Sequence, residues 1–297
     1  MNFRERMPFH FIKLRKFWYA LSIVILIPCI VSLFALGLNQ GIDFTGGTLL
    51  DLKFKQPAAT EQVRAVLNEF GLEGASIQQS AEDSFIIRTR ELTEDESGGV
   101  ISQLNSELSE VTVLRDERVG PVMGRELIMK AFQALALATV LILVYVAWRF
   151  EFKQGVAAII AVMHDVLLVA GVFSLLQFEV DSTFVAAVLT VVGFSLMDTI
   201  VIFDRTRENI RLKKRGELLG DIVNRSLWQT MSRSINTTLA IVILLVALIV
   251  FGGVTVRHMV LALLIGIVSG AYSSIFIAAP LWYDFKSLEA KPRTSKA

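Results

Sequence analysis

Residues 183–203 read TFVAAVLTVVGFSLMDTIVIF, and this stretch decides the class of fold. It contains one charged side chain, Asp198. A helix needs about 20 mostly apolar residues to cross roughly 30 Å of hydrocarbon at about 1.5 Å per residue. The stretch therefore predicts a membrane-spanning helix. The whole chain, with 54% hydrophobic residues among 297, is also too apolar for an ordinary soluble protein.

Five other apolar runs have the same character. We predict six spans in total, at residues 17–38, 131–148, 155–178, 183–203, 235–256 and 259–283. An even number of spans places both termini on one side of the membrane. A cleaved signal peptide is an alternative for the first run, because basic residues precede it. However, its 22 residues are too many for the apolar core of such a peptide.

The 29 basic residues are distributed unevenly along the chain. Nineteen of them lie in four segments that would share one side of the membrane: 1–16, 149–154, 205–233 and 285–297. On the other side, the short loops 179–182 and 252–258 together hold one. The positive-inside rule therefore predicts that both termini are cytoplasmic.

A basic run at 205–215 lies within the segment 204–234, which we predict to be a cytoplasmic loop. Nucleic-acid binding is one interpretation of such a run. Orientation in the membrane and contact with anionic lipids explain it better, and we expect no nucleic-acid partner. After the run, apolar residues recur at helical spacing and predict an amphipathic helix on the membrane surface: Leu218, Leu219, Ile222, Val223 and Leu227.

The segment 39–130 contains nine basic and sixteen acidic residues and is the one large soluble part of the sequence. Its pattern predicts a β-α-β-β-α-β order, with elements at 48–55, 60–70, 75–80, 84–90, 93–108 and 110–119. That order is typical of the ferredoxin-like split motif. We therefore expect an extracytoplasmic domain of this class.

Glycine-bearing junctions precede and follow this domain. They comprise Gly41, Asp43, Gly46 and Gly47 at the start, and Gly120, Pro121 and Gly124 at the end. Glycine permits tight or positive-φ backbone, and proline stiffens a turn, so we expect structural roles. Phosphate binding by the first junction is disfavoured, since no long helix is predicted directly after Gly47.

Ionisable residues inside spans are costly, so they indicate function unless they have a partner. Asp198 in the fourth span and Arg233 at the start of the fifth fall at similar depth, because these spans run antiparallel. The two could form a static ion pair or a proton-responsive one. His164 and Asp165, in the third span, are a second candidate proton-coupling pair, although adjacent helical residues point about 100° apart. Cys29 is the single cysteine, which excludes an intrachain disulfide and a cysteine-based metal site.

Several motifs together resemble the SecF family of protein-export membrane proteins. They are the 41–47 junction, Val119-Gly120-Pro121 with Gly124, His164-Asp165, Asp198 with the segment 204–209, and Ser232-Arg233-Ser234. The resemblance covers essentially the whole chain. Phe194 and Met197 depart from it, because the family commonly has Tyr and Asn there.

The resemblance implies a subunit that pairs with SecD in a complex similar to the resistance-nodulation-division transporters. Such a complex uses the proton-motive force to help the SecYEG channel export preproteins across the bacterial inner membrane, with YajC and YidC as further candidate partners. It implies no enzymatic activity, catalytic residue, metal or cofactor.

Two other functions are compatible with parts of the pattern. Asp165 and Asp198 on neighbouring spans could serve an intramembrane aspartyl protease, but Ser195-Leu196-Met197 precedes Asp198 where those enzymes have Gly-x-Gly. A stand-alone efflux pump for lipids or small molecules would need an outer ligand pocket, for which a domain of about 85 residues leaves little room.

We therefore expect an all-α membrane bundle of six helices with one inserted α+β ferredoxin-like domain. The expected divisions are a cytoplasmic N-terminus with the first span (1–38), the outer domain (39–130), the remaining spans (131–284) and a cytoplasmic tail (285–297).

Overall fold

A computed structural model of the chain describes residues 9–149 and 151–289. The chain forms two compact units. The helical unit comprises the described parts of 1–39, 135–178 and 183–297, and the sheet unit comprises 40–134 and 179–182. The sheet unit thus includes a four-residue segment that the sequence analysis treated as a separate short loop. Most of the predicted C-terminal tail lies outside the described residues.

The elements follow one another along the chain without long irregular connections. In chain order they are α1 (Arg15–Ala35), β1 (Asn39–Gln40), α2 (Ile42–Thr45), β2 (Gly47–Phe54), α3 (Thr60–Glu69), β3 (Ser76–Ala81), β4 (Ser84–Thr89), α4 (Glu94–Glu107), β5 (Val111–Val119), α5 (Pro121–Arg149), α6 (Phe152–Leu176), β6 (Glu179–Val180), α7 (Ser182–Arg211), α8 (Leu219–Phe251), α9 (Val254–Ser273), a π-helical turn (Ser274–Ala278) and α10 (Ala279–Glu289).

Six of the described helical segments are long and apolar enough to cross a membrane, which confirms the six predicted spans. They are Arg15–Ala35, Val122–Val146, Phe152–Leu176, Ser182–Arg211, Leu219–Phe251 and Val256–Leu288. The last one combines α9, the π-helical turn and α10. The chain is therefore a multi-pass membrane protein.

Two expectations for the segment between the fourth and fifth spans were wrong. The predicted loop 204–234 is mostly helical, because α7 continues to Arg211 and α8 begins at Leu219. The predicted surface helix is the first part of α8, and its apolar residues Ile222, Val223 and Leu227 are fully buried. Val223 and Leu227 pack in a core that includes Phe203 and Trp282. An apolar helical stripe is satisfied equally well by neighbouring helices and by lipid, so the pattern did not distinguish the two.

The ends of several helices meet at one face of the helical unit. Arg15 at the start of α1 donates to Asp284 in α10 at 2.8 Å, and Lys286 pairs with Glu151, just before α6, at 3.0 Å. The segment before α1 also packs there. Its Phe11 amide donates to Asn224 of α8 at 2.9 Å. The N-terminal end of the first span and the C-terminal end of the last span therefore lie on the same side, as an even number of crossings requires.

The sheet unit has one antiparallel sheet of four strands in the order β3-β4-β2-β5. Central strand β2 pairs antiparallel with both β4 and β5, and β3 pairs antiparallel with β4. The predicted element order is confirmed, and boundaries differ by one residue in most cases. The sequence predicts these elements well because apolar residues recur at different spacings in strands and in helices.

Alternation along β2 separates two apolar clusters. Leu50, Leu52 and Phe54 pack in the main core with residues of α3 and α4, whereas Leu49 packs with Ile42 in a smaller cluster. Both faces of the strand are thus covered. At roughly 1.5–3 kcal/mol for each fully buried large side chain, this burial is the principal stabilising contribution within the unit.

Candidate functional site

Asp198 is buried in α7, with 6% of the residue exposed. Its Oδ1 accepts a hydrogen bond from Ser234 Oγ of α8 at 2.7 Å. Its Oδ2 is buried and has no hydrogen-bond partner among the described residues. The carboxyl group is therefore only half satisfied. This is costly for a charged form inside a membrane unless the group can also be neutral.

Among the ion pairs of the described residues, none joins Asp198 to Arg233, its predicted partner, although Arg233 is near enough to act on the carboxyl group electrostatically. The side chain bound to Asp198 belongs to the next residue, Ser234. Arg233 is exposed and lines a cavity of about 420 Å³ at one end of α5, α7 and α8. Other polar groups around this cavity are Arg149, Asp204, Arg205, Glu208, Gln229 and Thr230.

The two positions that depart from the family pattern do not add polar groups around Asp198. Phe194 packs on the apolar cluster of Leu245, Val260 and Ile267. Met197 is 51% exposed on the outside of the helical unit. Among the described side chains, Ser234 is thus the direct hydrogen-bond partner of this carboxylate.

Asp165 has the opposite environment, fully buried and fully hydrogen-bonded. Its Oδ1 accepts from Ser269 Oγ of α9 at 2.6 Å, and its Oδ2 accepts from Ser195 Oγ of α7 at 2.6 Å and Ser273 Oγ of α9 at 2.7 Å. His164 Nδ1 lies 3.1 Å from Oδ1. The carboxylate therefore joins α6, α7 and α9 in one polar cluster.

Sequence reasoning missed most members of this cluster. Ser269 and Ser273 are four residues apart and share one face of α9, a spacing that could have indicated a polar seam facing another helix. Which carboxylate they would meet depends on helix packing. His164 and Asp165 contact each other directly, an arrangement that the 100° argument did not anticipate. No hydrogen bond joins Asp165 to Asp198 among the described residues, and the two carboxylates accept from different serines.

The cluster continues into the π-helical turn. Ser274 Oγ lies 2.8 Å from Thr199 Oγ1 and donates to the backbone oxygen of Ser195 at 3.2 Å. Gly270 allows this close contact, because a Cβ there would lie 3.0 Å from the Cβ of Ser195. Short π-helical insertions occur frequently at functional sites.

The glycine junctions have identifiable steric roles in the sheet unit. Gly47 has a φ of +134°, and a Cβ there would lie 2.4 Å from the Thr89 backbone oxygen. A Cβ on Gly124 would lie 2.7 Å from the Phe44 oxygen. In contrast, Gly120 would have ordinary space for a Cβ. Pro121 begins α5, where a proline costs no helical hydrogen bond.

The first junction also holds the segment 179–182. The Gly41 amide donates to the Val180 oxygen, and Asp43 Oδ2 accepts from the Ser182 amide, each at 2.9 Å. Gly41 leaves room for Glu179, whose Oε1 would lie 2.7 Å from a Cβ there.

Glu179 itself forms a two-pronged ion pair with Arg88 of β4. Burial raises the pKa of the Glu179 carboxyl, and Arg88 partly offsets this effect. Sequence analysis missed this pair, because the two residues are 91 positions apart.

Comparison with known proteins identifies the family. Residues 100–288 match the model described as protein export membrane protein SecD/SecF, C-terminal, and residues 31–58 match the SecD/SecF GG motif. Protein translocase subunit SecF of Acidaminococcus fermentans is 42% identical, over 94% of this chain and 97% of the relative.

Two larger relatives contain a region similar to this chain. Protein translocase subunit SecDF of Bacillus subtilis is 36% identical over 98% of this chain, which spans 40% of that relative. The crystal structure of SecDF, a translocon-associated membrane protein from Thermus thermophilus, superposes with a TM-score of 0.87 at 38% identity, covering 95% of this chain and 39% of that one. The chain therefore belongs to the SecF family of protein-export membrane proteins, within the larger SecD/SecF family.

Proposed function

We propose that the chain works with a SecD partner as a proton-driven accessory of the Sec translocase and assists late steps of preprotein export across the bacterial inner membrane. The single observation that carries the coupling role is the half-satisfied Asp198, buried beside Ser234 and within the electrostatic reach of Arg233. A carboxyl group with one unpartnered buried oxygen can exchange a proton with less rearrangement than one whose oxygens both accept hydrogen bonds.

The energy available to such a site is sufficient. Moving one charge through the membrane potential is worth about 2.3 kcal/mol per 100 mV. That amount changes a two-state equilibrium by roughly fifty-fold, so a single proton can bias a rearrangement. Arg233 would favour the charged form of Asp198 when close and release it when distant.

The SecD partner is supported by the length of the fused relatives. This chain matches 40% of the Bacillus subtilis SecDF sequence, a relative that joins a region similar to this chain to further sequence in one protein. The exposed apolar faces of α5 and α8, which include Leu137, Val144 and Leu244, suit contact with further helices as well as lipid. Contacts with SecYEG, YajC and YidC are part of the proposal on family grounds.

We assign the sheet unit to the ferredoxin-like class and to the outer side of the membrane. Its β-α-β-β-α-β order and its β3-β4-β2-β5 sheet support the class. The uneven charge distribution supports the side, with both termini cytoplasmic. Cysteines placed at Glu73 and Glu96 should react with an impermeant reagent from outside, and one at Lys213 from inside. The reverse result would overturn the orientation.

The coupling role is tested by Asp198→Asn in inverted membrane vesicles that contain the partner proteins. The amide keeps the shape of the side chain but cannot titrate. We expect normal abundance and normal assembly with SecD, but loss of the export stimulation produced by a proton gradient. Arg233→Met should have the same effect.

Asp95→Asn is the control, because Asp95 is an exposed carboxylate in the sheet unit and so lies outside the helical unit that holds Asp198 and Arg233. It should retain stimulation. Full stimulation in Asp198→Asn would remove Asp198 as the coupling site. Reduced abundance in proportion to lost activity would instead identify a purely structural role.

A further inference from the structure

His164 presents one satisfied and one unsatisfied ring nitrogen inside the helical unit. The residue is 6% exposed. Nδ1 lies 3.1 Å from Asp165 Oδ1, whereas Nε2 is buried without a hydrogen-bond partner among the described residues. A buried imidazole nitrogen without a partner is either a costly defect or a site that binds a proton.

The environment of Asp165 assigns the histidine tautomer. Three serine hydroxyls approach the carboxylate at 2.6–2.7 Å, and each has one proton to donate. If the carboxyl carried a proton, it would donate either to a hydroxyl, which would have to turn its own proton elsewhere, or to Nδ1 of His164. The second arrangement would leave Nε2 as a buried N–H donor without an acceptor among the described residues. The ionised form uses all three as donors. Nδ1 of His164 must then carry the proton that faces Oδ1, which leaves a lone pair on Nε2.

We infer that His164 is a second proton-binding group of this chain, accepting a proton at Nε2, and that Asp165 is its positioning residue, which stays ionised. The proton converts neutral imidazole to imidazolium, and the adjacent carboxylate balances the new charge. This inference deepens the proposed function and rests on it for its role in transport. It separates two residues that the sequence treated as one candidate pair.

Of the residues that the structure describes, two with titratable side chains face His164. One is Asp165 on its own helix, and the other is Tyr272 of α9, whose ring centroid is 6.1 Å away. From α1 the neighbouring polar group is Ser22, which contacts the Tyr272 hydroxyl at 3.0 Å. From α7 it is Ser195, which donates to Asp165.

Proton binding at His164 would change the cluster from one net negative charge to none. The three serine hydrogen bonds then compete with a full cation for the same carboxylate. Ser195 lies three residues before Asp198 on α7. A shift of this helix relative to α6 and α9 would therefore also move Asp198, the primary site.

The direct test is nitrogen NMR of histidine in the full-length protein in lipid nanodiscs. The chain has three histidines, and His164→Gln assigns the relevant signal. Spectra are recorded between about pH 8 and pH 5, the range in which histidine side chains commonly change charge. We expect the neutral Nδ1–H tautomer of His164 at the alkaline end and the doubly protonated ring at the acidic end. In Asp165→Asn we expect its proton affinity to fall about tenfold or more.

His258, which stacks on Phe178 at a centroid distance of 5.5 Å, is the internal control. Its titration should not respond to Asp165→Asn. The inference is overturned if His164 stays neutral throughout this range, or if it carries the proton on Nε2 at high pH. Ser273→Ala keeps the histidine and provides a second variant if Asp165→Asn does not fold. It should also change the His164 titration.

A transport measurement separates this inference from the proposed function. His164→Gln should reduce gradient-driven export stimulation about fivefold or more and flatten its pH dependence. His258→Gln should change neither. If Asp198→Asn abolishes stimulation while His164→Gln leaves its size and pH dependence intact, the inference is wrong and the proposed function stands. If Asp198→Asn has no effect, the proposed coupling function is wrong, and the NMR titration still decides the protonation of His164.

Discussion

Two carboxylates within the helical unit have opposite surroundings. Asp165 accepts hydrogen bonds from Ser195, Ser269 and Ser273 and contacts His164. Asp198 accepts one, and its second oxygen is buried without a partner among the described residues. Both lie on membrane-spanning helices, so the hydrocarbon penalty for a charge is similar in kind. The hydrogen bonds around Asp165 stabilise its charged form at both oxygens, whereas those around Asp198 do so at one oxygen only.

This difference separates structural from responsive ionisable groups. A fully hydrogen-bonded carboxylate links helices and resists changes of state, because each partner would have to be replaced. A half-satisfied carboxylate close to an arginine can change protonation with little rearrangement. Variants at each carboxylate and at its partners test whether the two sites differ in this way.

Removing the Asp165 side chain should have the largest effect on stability. Asp165→Ala leaves three serines and a histidine without their shared acceptor, and we expect a loss of about 2–4 kcal/mol in unfolding free energy. Asp198→Ala, the matched comparison, should cost less, because it removes one hydrogen bond. Thermal unfolding of the purified protein in detergent measures both, and an equal loss would show that the environments are equivalent.

Adding a methyl group at the close contact between α7 and α9 should disturb the Asp165 cluster. A Cβ on Gly266 would lie 2.2 Å from a Val191 methyl carbon, so Gly266→Ala should force the helices apart at a cost of about 1–3 kcal/mol.

Gly193→Ala is the control, since a Cβ at Gly193 meets nothing within 4 Å. The NMR signal of His164 and the melting temperature should change in Gly266→Ala and stay constant in Gly193→Ala. Unchanged values in both variants would argue against close helix contact.

Removing a single serine hydroxyl should cost less stability, and the two sites should differ in how the pH dependence of stimulation responds. Ser273→Ala deletes one of three hydroxyl donors to Asp165, and we expect about 0.5–1.5 kcal/mol of lost stability. Ser234→Ala deletes the hydrogen-bond donor of Asp198. We expect a similar stability cost, and a larger change in the pH dependence of gradient-driven stimulation than Ser273→Ala produces. If Ser273→Ala alters that pH dependence more than Ser234→Ala does, the assignment of Asp198 as the primary site is wrong.

The smallest effect on stability is expected at Glu96, a partly exposed carboxylate of the sheet unit that serves as a reference for Asp165 and Asp198. Arg90 and the Thr93 amide lower the pKa of Glu96 in the sheet unit to about 2. Because this folded-state pKa is below the unfolded value of about 4.3, the stabilisation is present above that value and is lost as pH falls toward 2.

We expect amides in the first turn of α4 to lose protection from hydrogen exchange over that range in the full chain. Glu96→Gln should remove this pH dependence and leave the helical unit unchanged. Acid-dependent protection that persists in Glu96→Gln would assign it to other carboxylates.

Much of the architecture could be predicted from the sequence, because it depends on local periodicity. The six apolar runs and the β-α-β-β-α-β order were found to within a few residues in most cases. The surface helix after Gly216 was assigned wrongly, because Val223 and Leu227 are apolar whether lipid or neighbouring helices cover them. At the candidate site, Asp198 was found from its cost in lipid. Ser234 was named as part of the Ser232-Arg233-Ser234 motif but was not predicted to bind Asp198, since serine in a span carries no such signal.

By itself, the sequence determined that this is a multi-pass membrane protein with one soluble insertion, and it identified which charged residues require an explanation. Hydrophobic length and charge are properties of a segment, so no packing information was needed. Only the tertiary structure decided that three serines from two helices meet Asp165, that Ser234 rather than Arg233 binds Asp198, and that Arg88 pairs with Glu179. Those contacts depend on the rotation and separation of elements far apart in the chain, where a shift of about one ångström makes or removes a hydrogen bond.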